Sequence, residues 1–448
     1  MYQIVSTEII ILLSSFLIFY KFRFEKKFIC FLFKKVVIYL PLTDKDFEQL
    51  IQVKKEKNKN IKGIVRSCEI EEYVDKAQNE KFFKFDFIVI FYLCNLTTVF
   101  FNEIKNIILS VFFKEDVITV NTFNIISSFV LISFCYFVYM NLRFHIFKEG
   151  FSKSKEVKSF YENFTISFTL FFLIQKMNEN FFNINYTSVL EIVNDRIYSI
   201  LSHFEFSFKN EKNLISKTLI QIFFSFIFGI FISILFRPAM RFAYFDHFLL
   251  MVCENPEDEK IRVSKLELFI KFKSVINIFS LFLLLDPLTN YIFDNFTLIK
   301  PYSNVIIFLS LFINYILELI CGINEIWYIA FMFHAQNYNE IVNFSKNPSK
   351  DKLLIHRNYI NSVNSRFWEI ISHIFYLVFI PILILISLYS RANIIQTLIF
   401  HKQIELKKYF LEIILYIVLL SFAIAKGVIE NGFLFYVILM NIVHVPLY

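Results

Sequence analysis

Long apolar runs separated by short charged segments organise the chain. They fall near residues 3–20, 85–102, 122–140, 160–175, 215–236, 274–293, 303–323, 367–390, 409–424 and 432–446. Each approaches the roughly 20 residues that a helix, rising about 1.5 Å per residue, needs to cross a hydrocarbon core about 30 Å thick. The runs are continuous rather than alternating, so they predict helices and not the period-two strands of a barrel. The expected fold is all-α, a polytopic helical membrane protein with about 9–10 transmembrane helices.

Three regions follow from the pattern. Residues 1–21 read as an N-terminal transmembrane anchor that stays uncleaved: the run lacks a positive n-region, carries Glu8, and has no small-x-small site after Tyr20. Residues 22–84 form a basic cytosolic loop, partly disordered where "KKEKNKNIKG" and "CEIEEYVDKAQNEK" mix charges with few aromatics. Residues 85–448 are expected to make a multi-pass helical bundle. Within it, 184–208 is too polar to span but amphipathic, with Leu190, Val193, Ile197, Ile200 and Leu201 at helical spacing. This segment should lie on the membrane surface or cap the bundle.

Charge sets the orientation. With the N-terminus outside, the segments that fall inside hold 33 of the 46 Lys and Arg in 153 residues, against 11 in 84 residues outside. That bias follows the positive-inside rule. The sequons at Asn185 and Asn295 then fall in outer loops and are candidate glycosylation sites, whereas Asn343 falls inside and Asn95 within a span. None of the six cysteines lies in an outer loop, and no disulfide framework or zinc spacing is expected.

Composition narrows the chemistry. Hydrophobic residues make up 56% of the chain, 62 residues are Phe, and only six are Gly. So few glycines make a phosphate-cradling loop improbable, and no His-Glu-x-x-His or G-x-S-x-G motif is present. The expectation is a protein that is not an enzyme, with no catalytic, cofactor-binding or metal-binding residues, no cofactor and no nucleic-acid partner. Its partners should be the lipid bilayer and ion channels or other membrane proteins. A membrane-bound enzyme would need His373 beside a second polar group in a cavity.

Ionisable groups within spans are the remaining clue, because each is costly in hydrocarbon. Asn314, Glu318, Cys321 and Glu325 share a polar face of the seventh run, which either lines a cation path or pairs with neighbouring bases to fix packing. Arg366, Glu369 and His373 form an interfacial ladder at the start of the eighth. Asp286-Pro287 marks a kink late in the sixth. Lys426, Gly427, Glu430 and Gly432 lie between the last two runs, in a tight turn or in a broken, re-entrant helix. In "IFISILFRPAMRFAYFDHFLL" (230–250), Arg237 closes the fifth run and Pro238 suits the first turn of a new helix. Arg237 and Arg241 would then share a face along the inner surface, so that the charges here form a rim rather than a buried site.

Several stretches together resemble the transmembrane protein 161 family. The likeness is best over "SKTLIQIFFSFIFGIFISILFRPAMRFAYFDHFLL" (216–250), and "INIFSLFLLLDPLTNYI" (276–292) is similar to the family's next span with its Pro-x-Thr step. It is weaker through "VVIYLPLTDKDFEQL" (36–50), the amphipathic 184–208 segment and the eighth span. The sequence departs from the family's pattern in a short loop after the eighth span and in the acids Glu318 and Glu325. The resemblance implies a multi-pass membrane protein without established catalytic activity, associated with ion currents, membrane excitability and stress protection. The alternative is an ion channel or transporter with an acidic path on the seventh span.

Overall fold

In the computed structural model, the described residues are 7–24, 27, 37–39, 67–69, 155–179, 181–182, 184, 186–203, 215–254, 263–295, 303, 305–320 and 410–442, with isolated positions between 89 and 108 and between 381 and 388. They are helical apart from a few connecting residues and one small β-ladder. The chain forms two compact units, one comprising Met1–Leu12, Asn95–Leu317 and Phe379–Tyr448, the other Leu13–Cys94 and Glu318–Val378.

Helix α1 (Thr7–Phe22) grows from the first apolar run and ends where Arg23 adopts a left-handed φ of 49°. That conformation is a common helix stop, although glycine adopts it more readily. Strands β1 (Val37–Tyr39) and β2 (Ser67–Glu69) pair antiparallel, with Ile38 opposite Cys68. The β-branched pair Val37 and Ile38 suits an extended backbone. A three-residue ladder is too short for periodicity to reveal; it lies within 22–84, expected as a loop, and departs from the all-α fold class.

The first unit is built around α4 (Lys217–Glu254), a 38-residue helix that, at about 1.5 Å per residue, is longer than a single crossing needs. Helix α2 (Lys155–Met177) packs along it through aromatic rings. Phe171 stacks on Phe228 at 4.2 Å, and the Phe164 ring lies 3.1 Å from where a β-carbon on Gly229 would sit. Glycine at 229 is what lets the two backbones approach. At the far end Lys176 Nζ donates to Thr218 Oγ1, and Lys217 pairs with Glu179.

Helix α3 (Tyr186–His203) is the amphipathic segment, and it packs on α4. Tyr186 and Val189 are buried against the bundle, while Glu191 and Asp195 face outward. Asn194 Oδ1 accepts from Ile215 N–H, which ties α3 to the residues just before α4. The helix is thus fastened to the bundle along one side. Tyr186 is buried with an unpartnered hydroxyl, and burial first, then the carboxylate of Glu179, pushes its phenol above the ordinary range. The folded protein therefore keeps a proton that the unfolded chain loses above about pH 10, so stability falls as pH rises past that point. We expect Tyr186→Phe to stabilise the protein by about 1 kcal/mol at neutral pH, by removing an unsatisfied buried hydroxyl. It should also flatten the alkaline decline in thermal unfolding.

Helices α5 (Val263–Leu284) and α6 (Asp286–Asn295) meet at the expected Asp286-Pro287 step. Proline removes an N–H donor, and the carbonyls it frees need other partners. Thr289 Oγ1 donates to Leu283 O and Leu285 O at 2.9 Å, and Tyr416 Oη donates to Leu284 O at 2.6 Å. The kink is thus satisfied from within the fold.

Helix α7 (Val305–Ile320) follows. Then α8 (Phe410–Ile424), a π-helical segment (Ala425–Glu430) and α9 (Asn431–Ile442) join end to end. Both expectations for Lys426–Gly432 are corrected here: there is neither a tight turn nor a re-entrant break, because one backbone helix runs through, widened over six residues. The 409–424 and 432–446 runs therefore belong to one rod.

A second correction concerns Pro238. It starts no new helix but sits inside α4, buried, with Leu235, Ala239, Phe242 and Ala243 buried around it. Packing by α2, α8, the π segment and α9 along α4 holds the two halves in line, which overrides the local preference of proline for a helix start.

Candidate functional site

Where α4, α5 and the π segment meet, four ionisable side chains are buried. Asp246, Lys273, Lys426 and Glu430 each have relative exposures of 1–2%. Lys273 lies on α5 between two acids: its Nζ donates to Asp246 Oδ2 at 3.0 Å and stands 2.8 Å from Glu430 Oε1. The first contact is a directed hydrogen bond. The second is a close ion pair whose angle falls outside hydrogen-bonding range, and Glu430 Oε1 has no hydrogen-bond partner. The Phe242 ring lies 5.7 Å from Lys273 Nζ, and Lys426 Nζ lies over the Tyr315 ring of α7 at 4.4 Å. An ammonium over an aromatic face is favourable, most of all where water is excluded.

The geometry follows from helix spacing. On α5, Ile270, Lys273, Asn277, Ser280 and Leu284 are buried at steps of three and four residues, with Leu281 and Leu283 buried beside them, while Phe272, Val275, Phe279 and Phe282 are exposed. Lys273, Asn277 and Ser280 thus face inward among buried Ile and Leu side chains, while the outer face of the helix is mainly large apolar residues together with Lys271. Helix α4 does the same at its start, with Gln221 and Ser225 buried and Leu219, Ile222, Phe223 and Phe226 exposed. The π segment brings its own two charges against α5. A β-carbon on Gly427 would lie 3.2 Å from Asn277 O, so glycine is needed for this approach. Asn431 Nδ2 donates to Ser274 O and Gly427 O, locking the two elements at the lower end. Segments of π-helix are rare and cluster at functional sites.

The cluster revises the rim reading of 230–250. Asp246 is not at an interface but inside the bundle, opposite a lysine 27 residues further along the chain. Arg237 and Arg241 are half-buried on another face of α4, which ends in the exposed Tyr244. Asn314 and Glu318 are both buried on α7, and Asn314 Oδ1 has no hydrogen-bond partner. Asn295 is exposed at the end of α6, its amide donating to Tyr291 O. Glu325, Arg366, Glu369, His373, Asn185 and Asn343 lie outside the described residues.

The sequence pattern marks Lys426 and Glu430 as part of a tight turn or a broken helix and does not mark Lys273 or Asn277. The signal for Lys273 was its position: it is three residues past the buried Ile270 and four before Asn277, in phase with the inward stripe. Among the described residues, no group of three or more His, Cys, Asp or Glu could hold a metal ion. Two described helices are long and apolar enough to cross a membrane, Lys217–His247 and Ile413–Met440. No family model, curated protein or solved structure matches the chain.

Proposed function

We propose that the chain is a non-enzymatic, multi-pass integral membrane protein of the transmembrane protein 161 type, which modulates ion currents and membrane excitability through other membrane proteins. The observation that carries the membrane part is the inverted pattern of α4 and α5. Large apolar residues, among them Phe223, Phe226, Phe272 and Phe279, stand exposed on their outer faces while Gln221, Ser225, Asp246, Lys273, Asn277 and Ser280 are buried among the apolar core residues. In water such faces would make large exposed apolar patches, whereas in lipid they are the expected outer surface. The pairing of Asp246 and Glu430 with Lys273 supports a packed core rather than an open ion path. The ordered likeness over 216–250 and 276–292 supports the link to ion currents.

The test is to reconstitute the purified chain alone in proteoliposomes and, separately, to express it in cells under voltage clamp. We expect no K+, Na+ or Cl− flux above that of empty vesicles, and altered endogenous currents in the cells. Flux from the chain alone overturns the reading. It would favour a channel or transporter using the α7 face, for which the buried Asn314 and Glu318 speak. In that case Glu318→Gln with Glu325→Gln should reduce the flux at least tenfold, as expected for removal of charges that line a path.

Orientation has its own check. Glycosylation mapping should modify Asn295, exposed at the end of α6, and leave Asn343 bare. A modified Asn343 inverts the proposed topology.

A further inference from the structure

The polar surroundings of the buried cluster are incomplete. Asp246 gives Oδ2 to Lys273, but its Oδ1 has no hydrogen-bond partner. One turn along α5, Asn277 is buried with neither its amide nitrogen nor its oxygen bonded, and the hydroxyl of Ser280 beyond it is buried and unbonded as well. Buried polar atoms are nearly always partnered, and where the protein offers no partner an internal water does, making about three hydrogen bonds. These atoms continue the inward stripe that begins at Lys273, and Asn277 lies directly against Gly427 of the π segment.

We propose that the cluster is a hydrated proton-binding site in which Glu430 takes up and releases a proton while Asp246 and Lys273 stay paired. The two acids differ in a way that assigns the roles. Asp246 accepts the directed hydrogen bond of Lys273 on Oδ2, whereas Oε1 of Glu430 meets the same ammonium as an ion pair, so neutralising Glu430 leaves that directed bond in place. Glu430 also closes the π segment, where the backbone departs from the regular helix. The titratable groups around it are Lys273 from α5, Asp246 and the neighbouring His247 from α4, Tyr315 from α7 and Lys426 from the π segment itself. With both acids and both lysines ionised, the four charges cancel. Uptake forms an O–H bond on the Glu430 carboxylate with a proton relayed from bulk solution, each internal water giving up one proton as it receives another, and the cluster gains one positive charge. The Tyr315 ring already faces the Lys426 ammonium and offsets part of that charge. Release returns the proton to the waters along Asn277 and Ser280. Ionisable groups inside a bundle are the usual stations of proton relays.

The inference goes beyond the proposed function, because binding a proton requires no partner protein. Infrared difference spectroscopy on the full chain in lipid nanodiscs, titrated by pH, reads it directly. We expect a carboxylic-acid band of a group shielded from bulk water that titrates and shifts on 13C-glutamate labelling. The band should be lost in Glu430→Gln and kept in Glu318→Gln. Asn277→Leu should move its midpoint by about one pH unit, a tenfold change in proton affinity. A wild-type protein with no titrating shielded glutamic acid overturns the proposal, and so does a band that persists in Glu430→Gln. Should Glu430→Gln fail to fold, the labelled band followed in the wild type and in Glu318→Gln decides the matter. No ion current enters this readout, so its failure leaves the proposed function standing, and the reverse holds too.

Discussion

Lys273→Met should be the most damaging single substitution in the first unit. The side chain is about the same size, so the core stays filled, but Asp246 and Glu430 lose the ammonium that stands within 3.0 Å of both. Removing one partner from a buried ion pair costs about 3–5 kcal/mol, since the remaining charge is stranded without solvent. Two carboxylates are stranded here, which places the loss at the upper end of that range. Thermal unfolding in detergent micelles should show the variant largely unfolded where the wild type is intact. Asp246→Asn should cost less, because Lys273 keeps Glu430. Combining Lys273→Met with Asp246→Asn and Glu430→Gln should recover much of the loss, because no charge is then left buried. If Lys273→Met unfolds like the wild type, the cluster is not a structural anchor.

The second large effect is steric. Gly427→Val should separate α5 from the π segment, because even the β-carbon would come within 3.2 Å of Asn277 O and 3.3 Å of Leu281 Cβ. Overpacking of a close-packed interior costs about 1–3 kcal/mol. The opposed atoms include backbone, which cannot swing away as the end of a side chain can. Gly432→Val is the control, since nothing lies within 4 Å of a β-carbon there. It should cost no more than the helix-propensity terms allow. Equal losses at the two glycines, measured by the same unfolding assay, would show that close approach at Gly427 is not what the bundle depends on.

The contrast between these two glycines shows what a single chain can reveal. Apolar runs anticipate helices well: the 160–175 run becomes α2, and the 274–293 run becomes the end of α5 with α6, kinked where Asp286-Pro287 suggests. Amphipathic spacing in 184–208 anticipates a helix that packs on one side. Pairings across the bundle are not local properties. Lys273 is one of several lysines in a charged stretch beside an apolar run, and nothing within a helical turn of it says that Asp246 and Glu430 converge on it. The same is true of Pro238, whose local preference for a helix start gives way to packing along both halves of α4. The π segment was hidden for another reason. Lys, Gly and Glu between apolar residues have the composition of a turn, and only their fit against α5 makes a widened helix the better solution.

The continuity of that rod reaches the cell biology of the two chain ends. Counted as separate runs, 409–424 and 432–446 would send the polypeptide across and back. Fused through Ala425–Glu430, they make one continuous helix, long and apolar enough for one traverse. In the multi-pass topology proposed above, that change makes the tally of runs odd instead of even, and the two chain ends are then expected on opposite sides of the membrane. With the N-terminus outside, as proposed, an epitope tag fused to the last residues should be reached by antibody only after the cell membrane is permeabilised, and labelling of intact cells would overturn that topology.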